Sequence, residues 1–359
     1  MKKISLILTL CGAVALTGIY GCSSDSTSGG VTLGPDGRLY VLNQGANTMY
    51  VYNTATLTLV DSIETVVNKP HYIEFSPDGA YFYIVTLETT GKVGKYDAQT
   101  LELIDSVTAP PHVQPTAISI TPDSKYGYIC NFSSAIDPTF IHKYDLTTMT
   151  RIDSMQAGIT THDVKITADG ATVIACNRFS DNVTLVHTDG DTVSFVNIDP
   201  ATVYPPGTAA YGPFGIAIDH RDSLAFVACM DAKQIRVLDI AAQTIVDSID
   251  VPVTPGGLIY GPTLMAVHPN NTVIFVTTRG GNSVVAVDFA THQVVANIPL
   301  STRFPFGITM SDDGSRVYAA CVGEPFGKGR VYVIDGDNYT KVDSITVGAE
   351  SFGLIWRPL

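Results

Sequence analysis

A four-part segment recurs along most of the chain and limits its fold more than any other feature. The copy that starts at Pro305–Ile308 continues through the turn Asp312–Gly314 and three further apolar runs, the last of which is Lys341–Ile345. Short apolar runs separated by Asp-Gly and other Asx turns are typical of β-strands joined by tight turns. Each copy of the segment therefore predicts four antiparallel strands.

Seven copies follow one another without an intervening linker. Aligned on the turn after the first strand, they are 42 to 52 residues apart, at Asp36, Asp78, Asp123, Asp169, Arg221, Asn270 and Asp313. Four-stranded repeats of this length are typical of β-propeller blades and are too long for leucine-rich or ankyrin units. The sequence predicts an all-β, seven-bladed β-propeller with four-stranded blades over residues 31–359.

The two ends of the chain together predict one complete blade. The first copy has no good first strand before its turn at Gly34–Gly37, whereas Ser351–Trp356 matches Pro305–Ile308 and then the sequence stops before any turn. We expect this C-terminal strand to lie innermost, beside the strand that contains Leu39–Val41. Such pairing leaves no open sheet edge in the ring.

The first residues predict a secreted and lipidated protein. A basic start precedes the apolar run Ile4–Leu16, which is too short to span a bilayer and is typical of a signal peptide. Ile19–Cys22 resembles a bacterial lipobox, which implies acylation of Cys22 and cleavage before it. Residues 22–30 are a Ser- and Gly-rich tether. We predict a signal peptide over 1–21 and a lipid anchor in the outer membrane of the cell envelope; the alternative is an ordinary signal peptide with a coincidental cysteine.

Net charge limits the partners. It is −13 for the whole chain and becomes −15 when Lys2 and Lys3 leave with the signal peptide. A chain this acidic repels nucleic acid and anionic lipid. The predicted partners are a small-molecule or peptide ligand and other envelope proteins, with membrane contact through the lipid anchor only.

The repeat resembles that of the YVTN family of bacterial β-propellers. The matching features are a Pro-led first strand, a Ser-Pro-Asp-Gly turn, a Tyr-Val-x-Asn second strand and a Val-x-Asp third strand, seen at Pro70, Ser76–Gly79, Tyr40–Asn43, Tyr128–Asn131 and Val237–Asp239. The resemblance covers roughly residues 31–359 and implies the fold. It implies no single function, because propellers serve as enzymes, carriers and scaffolds alike.

Loop length points to one face of the propeller as the binding face. The longer connections, which all lie between second and third strands or between blades, are Phe132–Phe140, Pro200–Gly212, Pro252–Gly261 and Val322–Gly329. Strand alternation places all of these connections on the same face, which we call the variable-loop face. Insertions confined to one face of a repeat protein usually mark its binding surface.

Candidate ligand-binding residues cluster where the channel should open on this face. The residues that follow each first-strand proline, or its equivalent, and their neighbours in the connections include His71, His112, His162, Phe214, Tyr260, Arg303, Phe306 and Phe352. Phe214, Phe306 and Phe352 would form the floor of a pocket, and His71, His162 and Arg303 would orient polar groups at its rim. The alternative is that these side chains only plug the channel against water.

The sequence predicts neither a metal site nor catalytic residues, and it implies no cofactor. Copper-enzyme propellers related to nitrous oxide reductase use many more hub histidines and an Asp-His-His motif that is absent here. The repeats also resemble seven-bladed lactonases, but there is no Gly-x-Ser-x-Gly elbow and no phosphate loop. Lipoprotein propellers that capture corrinoids or other nutrients are similar in overall plan. We therefore predict a non-enzymatic binding or scaffold protein, with a metal-dependent or lactonase-like enzyme as the alternative.

Four cysteines remain beyond Cys11 and Cys22, and all lie at or near the ends of second strands: Cys130, Cys176, Cys229 and Cys321. Neighbouring blades pack about 10 Å apart, beyond the roughly 7 Å over which two Cα atoms can be bridged. We expect four free, buried thiols. The pair Cys176 and Cys229, on adjacent blades, is the first alternative for a disulfide.

Overall fold

Seven four-stranded antiparallel sheets make up the part of the chain that the computed structural model describes. The described residues are 35–65, 67–133, 136–201, 209–252, 261–323 and 327–359, and they belong to one compact unit, Leu33–Leu359. The predictions for the signal peptide, Cys22 and the tether lie outside these residues. Within the described ranges, no helix has the length and apolar character needed to cross a membrane.

The strands have similar lengths, and a single 3-10 turn, Gln44–Ala46, follows the first of them. In chain order the first fourteen strands are β1 (Gly37–Asn43), β2 (Thr48–Asn53), β3 (Leu59–Glu64), β4 (Pro70–Phe75), β5 (Tyr81–Thr86), β6 (Lys92–Asp97), β7 (Leu103–Thr108), β8 (Pro115–Ile120), β9 (Tyr126–Asn131), β10 (Pro138–Asp145), β11 (Thr150–Ile159), β12 (Thr161–Ile166), β13 (Thr172–Asn177) and β14 (Asn182–His187). The second fourteen are β15 (Thr192–Asn197), β16 (Pro213–Ile218), β17 (Leu224–Cys229), β18 (Gln234–Asp239), β19 (Thr244–Asp250), β20 (Pro262–Val267), β21 (Val273–Thr278), β22 (Ser283–Asp288), β23 (Val294–Pro299), β24 (Pro305–Met310), β25 (Arg316–Cys321), β26 (Lys328–Asp335), β27 (Lys341–Ala349) and β28 (Ser351–Pro358).

Six blades use four consecutive strands, and the remaining blade combines both ends of the chain. Blade 1 has the order β28-β1-β2-β3, and blades 2 to 7 run from β4–β7 to β24–β27. The first strands β4, β8, β12, β16, β20, β24 and β28 contact one another around the ring. The predicted all-β, seven-bladed propeller with four-stranded blades is confirmed.

Blade 1 closes the ring as the sequence predicts. In its innermost pair, Leu39 lies opposite Trp356 and Val41 lies opposite Leu354. The hydroxyl of Ser351 also donates a hydrogen bond to Oδ1 of Asn43 at 3.0 Å. Trp356 is buried, so the C-terminal strand contributes both backbone pairing and apolar contact to the first blade.

The turns between first and second strands explain the repeated Ser/Thr-x-Asp-Gly pattern. In blade 2 the hydroxyl of Ser76 donates to Oδ1 of Asp78 at 2.6 Å, and the same oxygen accepts the backbone N–H of Ala80 at 3.0 Å. Gly79 between them has a φ of 72°, a left-handed conformation that glycine adopts without steric cost. The Asp-Gly pair therefore fixes a tight turn through contacts within the turn itself. The loops on the face that carries these turns accordingly differ little in length between blades.

The hydrophobic core is divided among the contacts between neighbouring blades. The second strands β5, β9, β13, β17, β21 and β25 are buried almost throughout because another blade covers each of their faces, which is why they consist of continuous apolar runs. Cys176 and Cys229 belong to the same cluster between blades 4 and 5, but they are not bonded to each other. All four predicted thiols, including Cys130 and Cys321, are free and buried, as expected.

The start of each first strand shapes the mouth of the channel. Pairing shifts register just after the leading residue, between Pro305 and Ile308 in blade 7 and at the corresponding place in blades 2 to 6. Glycine follows the phenylalanine in blades 5, 7 and 1; a Cβ on Gly307 would lie 2.1 Å from the backbone oxygen of Phe352. First strands therefore approach closely, and the bulge turns their second residue toward the axis.

Candidate functional site

Five aromatic side chains from five blades meet at the mouth of the channel on the variable-loop face. These side chains, which we call the mouth layer, are His71, His162, Phe214, Phe306 and Phe352. The His162 and Phe214 rings stack with their centroids 3.5 Å apart, and Phe306 lies within 5.0 to 6.2 Å of the other four rings. Phe352 is half-buried and the other four are buried. The layer closes the channel with rings that interlock across blades.

Both imidazoles in the mouth layer are held in place by polar contacts. Nδ1 of His71 lies 3.3 Å from Nε2 of Gln44, and Nδ1 of His162 donates to the backbone oxygen of Phe214 at 2.9 Å. Burial lowers the pKa of His71 to about 4. Burial, together with the nearby His71, also lowers the pKa of His162 well below its usual value. Both rings are therefore neutral at pH 7, which suits packing among phenylalanines.

The structure brings together five of the eight side chains that the sequence nominates. His71 and His162 lie within the layer and not at its rim, which differs from the expectation, because the bulge turns the second residue of the strand inward. Arg303 is exposed, with its guanidinium 4.9 Å from the Phe304 ring. His112 is exposed in the connection between β7 and β8 and makes no ring contact with the layer in the described residues. Tyr260 lies outside the described residues.

Two arginines that directly follow second strands also lie beside the rings at the mouth, and they are not among the residues predicted from the sequence. Arg178 follows β13, and its guanidinium lies 5.8 Å from the Phe214 ring and 3.6 Å from the carboxylate of Asp231. Arg279 follows β21 and lies 5.3 Å from the Phe304 ring. We call Arg178, Arg279 and Arg303 the arginine rim. Alignment of the residue after each second strand is the signal that could have found the first two.

On its other side, the mouth layer borders a cavity inside the channel. The cavity has a volume of about 200 Å³, and its lining includes His71, Phe306 and Phe352 at one end and Glu74, Asp163 and Lys165 farther along. The rings thus lie between two environments, the variable-loop face with three arginines and a partly open cavity with three charged groups. Among the described residues, no three His, Cys, Asp or Glu side chains are grouped so that they could hold a metal ion.

Seven sheets around a channel, with one end closed by rings, define a seven-bladed β-propeller. The chain belongs to the lactonase, 7-bladed beta-propeller family, whose family model matches residues 53–337. No curated protein matches the sequence.

Solved structures with the same fold come from proteins of different kinds. Hydrazine synthase of Kuenenia stuttgartiensis is 18% identical over 82% of this chain and 91% of that one, with a TM-score of 0.66. A functionally unknown protein from Desulfotomaculum acetoxidans is 12% identical over 90% and 99% of the two chains, with a TM-score of 0.72. Dihydro-heme d1 dehydrogenase in complex with DHE is 12% identical over 89% and 75%, with a TM-score of 0.61. At these identities the likeness shows the fold alone.

Proposed function

We propose that this chain is a cell-envelope lipoprotein whose propeller captures a small-molecule or peptide ligand on its variable-loop face and does not transform it. The ligand would rest on the mouth layer and contact the arginine rim. The lipobox-like segment that ends at Cys22 would anchor the protein to the membrane, and the repeats that resemble the YVTN propellers would supply a rigid support.

The arrangement of cations over aromatic rings at the mouth is the observation that carries this proposal. Arg178 lies beside Phe214, whereas Arg279 and Arg303 both lie against Phe304. Guanidinium groups that stand beside apolar rings favour a ligand with an acidic group and an aromatic or apolar body. A channel plug requires only the rings, whereas cations beside the rings could also meet an acidic ligand.

The histidines at the mouth favour binding over catalysis. Each has its Nδ1 engaged by a protein group, and burial lowers the pKa of His71 to about 4. A general base works best when its pKa lies near the operating pH, so His71 is a weak base under neutral conditions. Rigid, neutral rings suit a surface on which a ligand rests.

A lactonase-like enzyme is the second candidate, and membership of a family described as lactonase favours it. Its chemistry would need a group that activates water for attack on a lactone carbonyl. His162 is one of two imidazoles in the described mouth layer, and it packs against both Phe214 and Phe306. Turnover of a lactone panel by the wild type, lost in His162→Ala, would favour this candidate.

The binding proposal is tested by titrating the full chain with a panel of corrinoids, acidic glycans and peptides. We expect at least one member to bind, with affinity about tenfold or more weaker in Arg279→Ala and in the pair Phe306→Ala and His162→Ala. Arg221→Ala is the matched control, because it removes an exposed arginine from a turn on the opposite face. A wild type that binds no member, while the mouth variants only melt earlier, would leave the layer as a plug and contradict the proposal.

Anchoring is tested separately by fractionation. A bacterial lipoprotein carries several acyl chains, which together give stable membrane association, whereas a single chain binds only marginally. The wild type should therefore sediment with outer membranes, and Cys22→Ala should not. A Cys22→Ala protein that stays with the membranes would contradict the lipid anchor without affecting the result of the titration.

A further inference from the structure

The cavity below the mouth layer has one polar wall and one apolar wall. Its polar wall comes from blades 2 and 4 and consists of Tyr72, Glu74, Asp163 and Lys165. The opposite wall, from blades 5, 6, 7 and 1, is mainly glycine and aliphatic residues, among them Leu264, Gly307, Ile308, Gly353 and Leu354, and none of its described residues is charged; Thr309 is its polar member. This asymmetry does not follow from the sevenfold repeat, because equivalent positions of the first strands carry different residues.

Glycine keeps the apolar wall smooth for a steric reason. A Cβ on Gly353 would lie 2.6 Å from the backbone oxygen of His71, and one on Gly307 would lie 2.1 Å from that of Phe352. Neither position can therefore carry a larger side chain unless a neighbouring strand moves. On the polar side, β8 contributes only the small residues Ala117 and Ser119 at the corresponding positions. Lys165 therefore reaches past blade 3 from blade 4 to blade 2.

The ammonium of Lys165 and the carboxylate of Glu74 present complementary groups to the cavity. Lys165 Nζ donates to the hydroxyl of Tyr72 and lies 4.0 Å from Oε2 of Glu74. The Tyr72 hydroxyl in turn donates to the same oxygen at 3.5 Å. An ammonium has three donors and a carboxylate has two acceptor oxygens. The side chains of Lys165 and Glu74 are 30% and 26% exposed, and both line the cavity, so donors and an acceptor remain available there.

Asp163 has a different part in the same wall. Its Oδ1 accepts the backbone N–H of Val164 and its Oδ2 accepts that of Ile216, both at 2.9 Å. Asp163 therefore joins blade 4 to blade 5. Burial raises the pKa of its carboxyl, whereas Lys165 and the two backbone N–H groups favour its carboxylate form. Burial disfavours the charge of Lys165, but Tyr72, Asp163 and Glu74 outweigh it and raise the lysine pKa above its usual value. Lys165 is thus a cation at neutral pH.

We propose that this cavity is a binding site for a small zwitterion of the α-amino-acid type with a short apolar side chain. The ligand carboxylate would accept from Lys165, its ammonium would donate to Glu74, and its side chain would pack against Leu264 and Leu354. An anion alone would face Glu74 and Asp163, and a cation alone would face Lys165, whereas a zwitterion adds no net charge to a largely buried space.

The size of the cavity agrees with this ligand class. A volume of about 200 Å³ compares with about 30 Å³ per water molecule in the liquid. That space is large enough for a compact molecule such as valine or leucine and too small for a tetrapyrrole. The site is separate from the variable-loop face because the rings of the mouth layer lie between them. The cavity proposal can therefore be correct or wrong whatever the outcome for the proposed function.

Calorimetric titration of the full chain with L-leucine and two matched probes tests the proposal. Isovalerate lacks the ammonium of leucine, and isopentylamine lacks its carboxylate. We expect saturable binding of leucine, and binding about tenfold or more weaker for each matched probe. No leucine or valine binding at millimolar concentration, or equal binding of isovalerate, would overturn the proposal with the wild type alone.

Two variants locate the site. Lys165→Met and Glu74→Gln should each weaken leucine binding about tenfold or more, because each removes one charge from the polar wall. Lys143→Met is the matched control: Lys143 also pairs with an acid, Asp191, and lies near tyrosine rings, but it lies outside the channel. If Lys165→Met does not fold, leucine binding by the nearly isosteric Glu74→Gln variant tests the location of the site. Leucine binding that Glu74→Gln leaves unchanged would contradict the site.

Discussion

The mouth layer and the channel cavity below it come from the same first strands but differ in chemistry. The layer uses the second residue of five of the seven first strands and is built from neutral rings, such as His162 and Phe306, that interlock across blades. The cavity begins at the next position, where blades 2 and 4 carry Tyr72 and Asp163 and blades 5, 7 and 1 carry glycine, and two residues further on blade 4 adds Lys165. Close packing of the rings makes the layer rigid. The cavity differs because, in the part of the chain that the structure describes, only blades 2 and 4 carry charged residues in it, and this polar wall would select the ligand.

Removal of the closing strand affects both regions and should have the largest effect. Deleting residues 350–359 removes Phe352 from the layer, Leu354 from the cavity wall and the partner of β1. We expect loss of about 5 kcal/mol or more of unfolding free energy, a large part of the roughly 5–15 kcal/mol that a typical domain has. Thermal unfolding by circular dichroism measures this. A truncated chain that melts together with the full chain would show that β28 does not close the ring.

Truncation of one ring tests whether the layer is a packed partition. Phe306 is buried and lies near four other rings, so Phe306→Ala should cost about 3–5 kcal/mol of unfolding free energy. His112→Ala, at an exposed position outside the layer, should cost less than about 0.5 kcal/mol. Denaturant titration of both variants makes the comparison. Equal stability of the two would mean that the rings do not pack as described.

Acid should weaken the layer through His71. Burial lowers its folded pKa to about 4 from the usual 6.5; a lowered folded value gives stability that is present above the unfolded pKa and is lost as the pH falls toward the folded one. Between pH 7 and pH 4.5 the wild type should lose about 2 kcal/mol more than His71→Gln does. Denaturant titrations at both pH values measure the difference, with His112→Gln as the control that should follow the wild type.

The arginine rim should affect stability least. Arg303 is exposed and contacts Phe304 at 4.9 Å, so Arg303→Ala should change the unfolding free energy by less than about 1 kcal/mol. Its effect on ligand affinity should exceed its effect on stability. The reverse result, a large loss of stability with unchanged affinity, would assign Arg303 a structural role.

Most of the fold follows from the sequence because blade geometry is local and repeated. The turn at Ser76–Gly79 is fixed by its own side chains, and the match of Ser351–Trp356 to other first strands predicts the closure. That these five residues come together at the mouth of the channel could also be predicted, because they occupy the same place in their copies of the repeat. The position of His71 and His162 within the layer could not, because the bulge that turns them inward leaves no mark in the sequence.

The polar wall of the cavity could not be predicted from the repeat. Lys165 and Tyr72 are 93 positions apart, and they belong to blades that are not neighbours. Periodicity describes what the copies share, whereas this contact depends on two exceptions that meet across the small residues of β8. Arg178 and Arg279 were not predicted but could have been, because each directly follows a second strand. Aligning the residue after every second strand would have identified them.

Native mass spectrometry of the full chain purified from its own host tests the central claim, capture of a ligand at the mouth, most directly. We predict a non-covalent adduct on the wild type and on Arg221→Ala, and about tenfold less of it on the Phe306→Ala and His162→Ala pair. A wild type that carries no adduct beyond its lipid anchor, or an adduct that the mouth variants retain in full, would contradict ligand capture at the mouth layer.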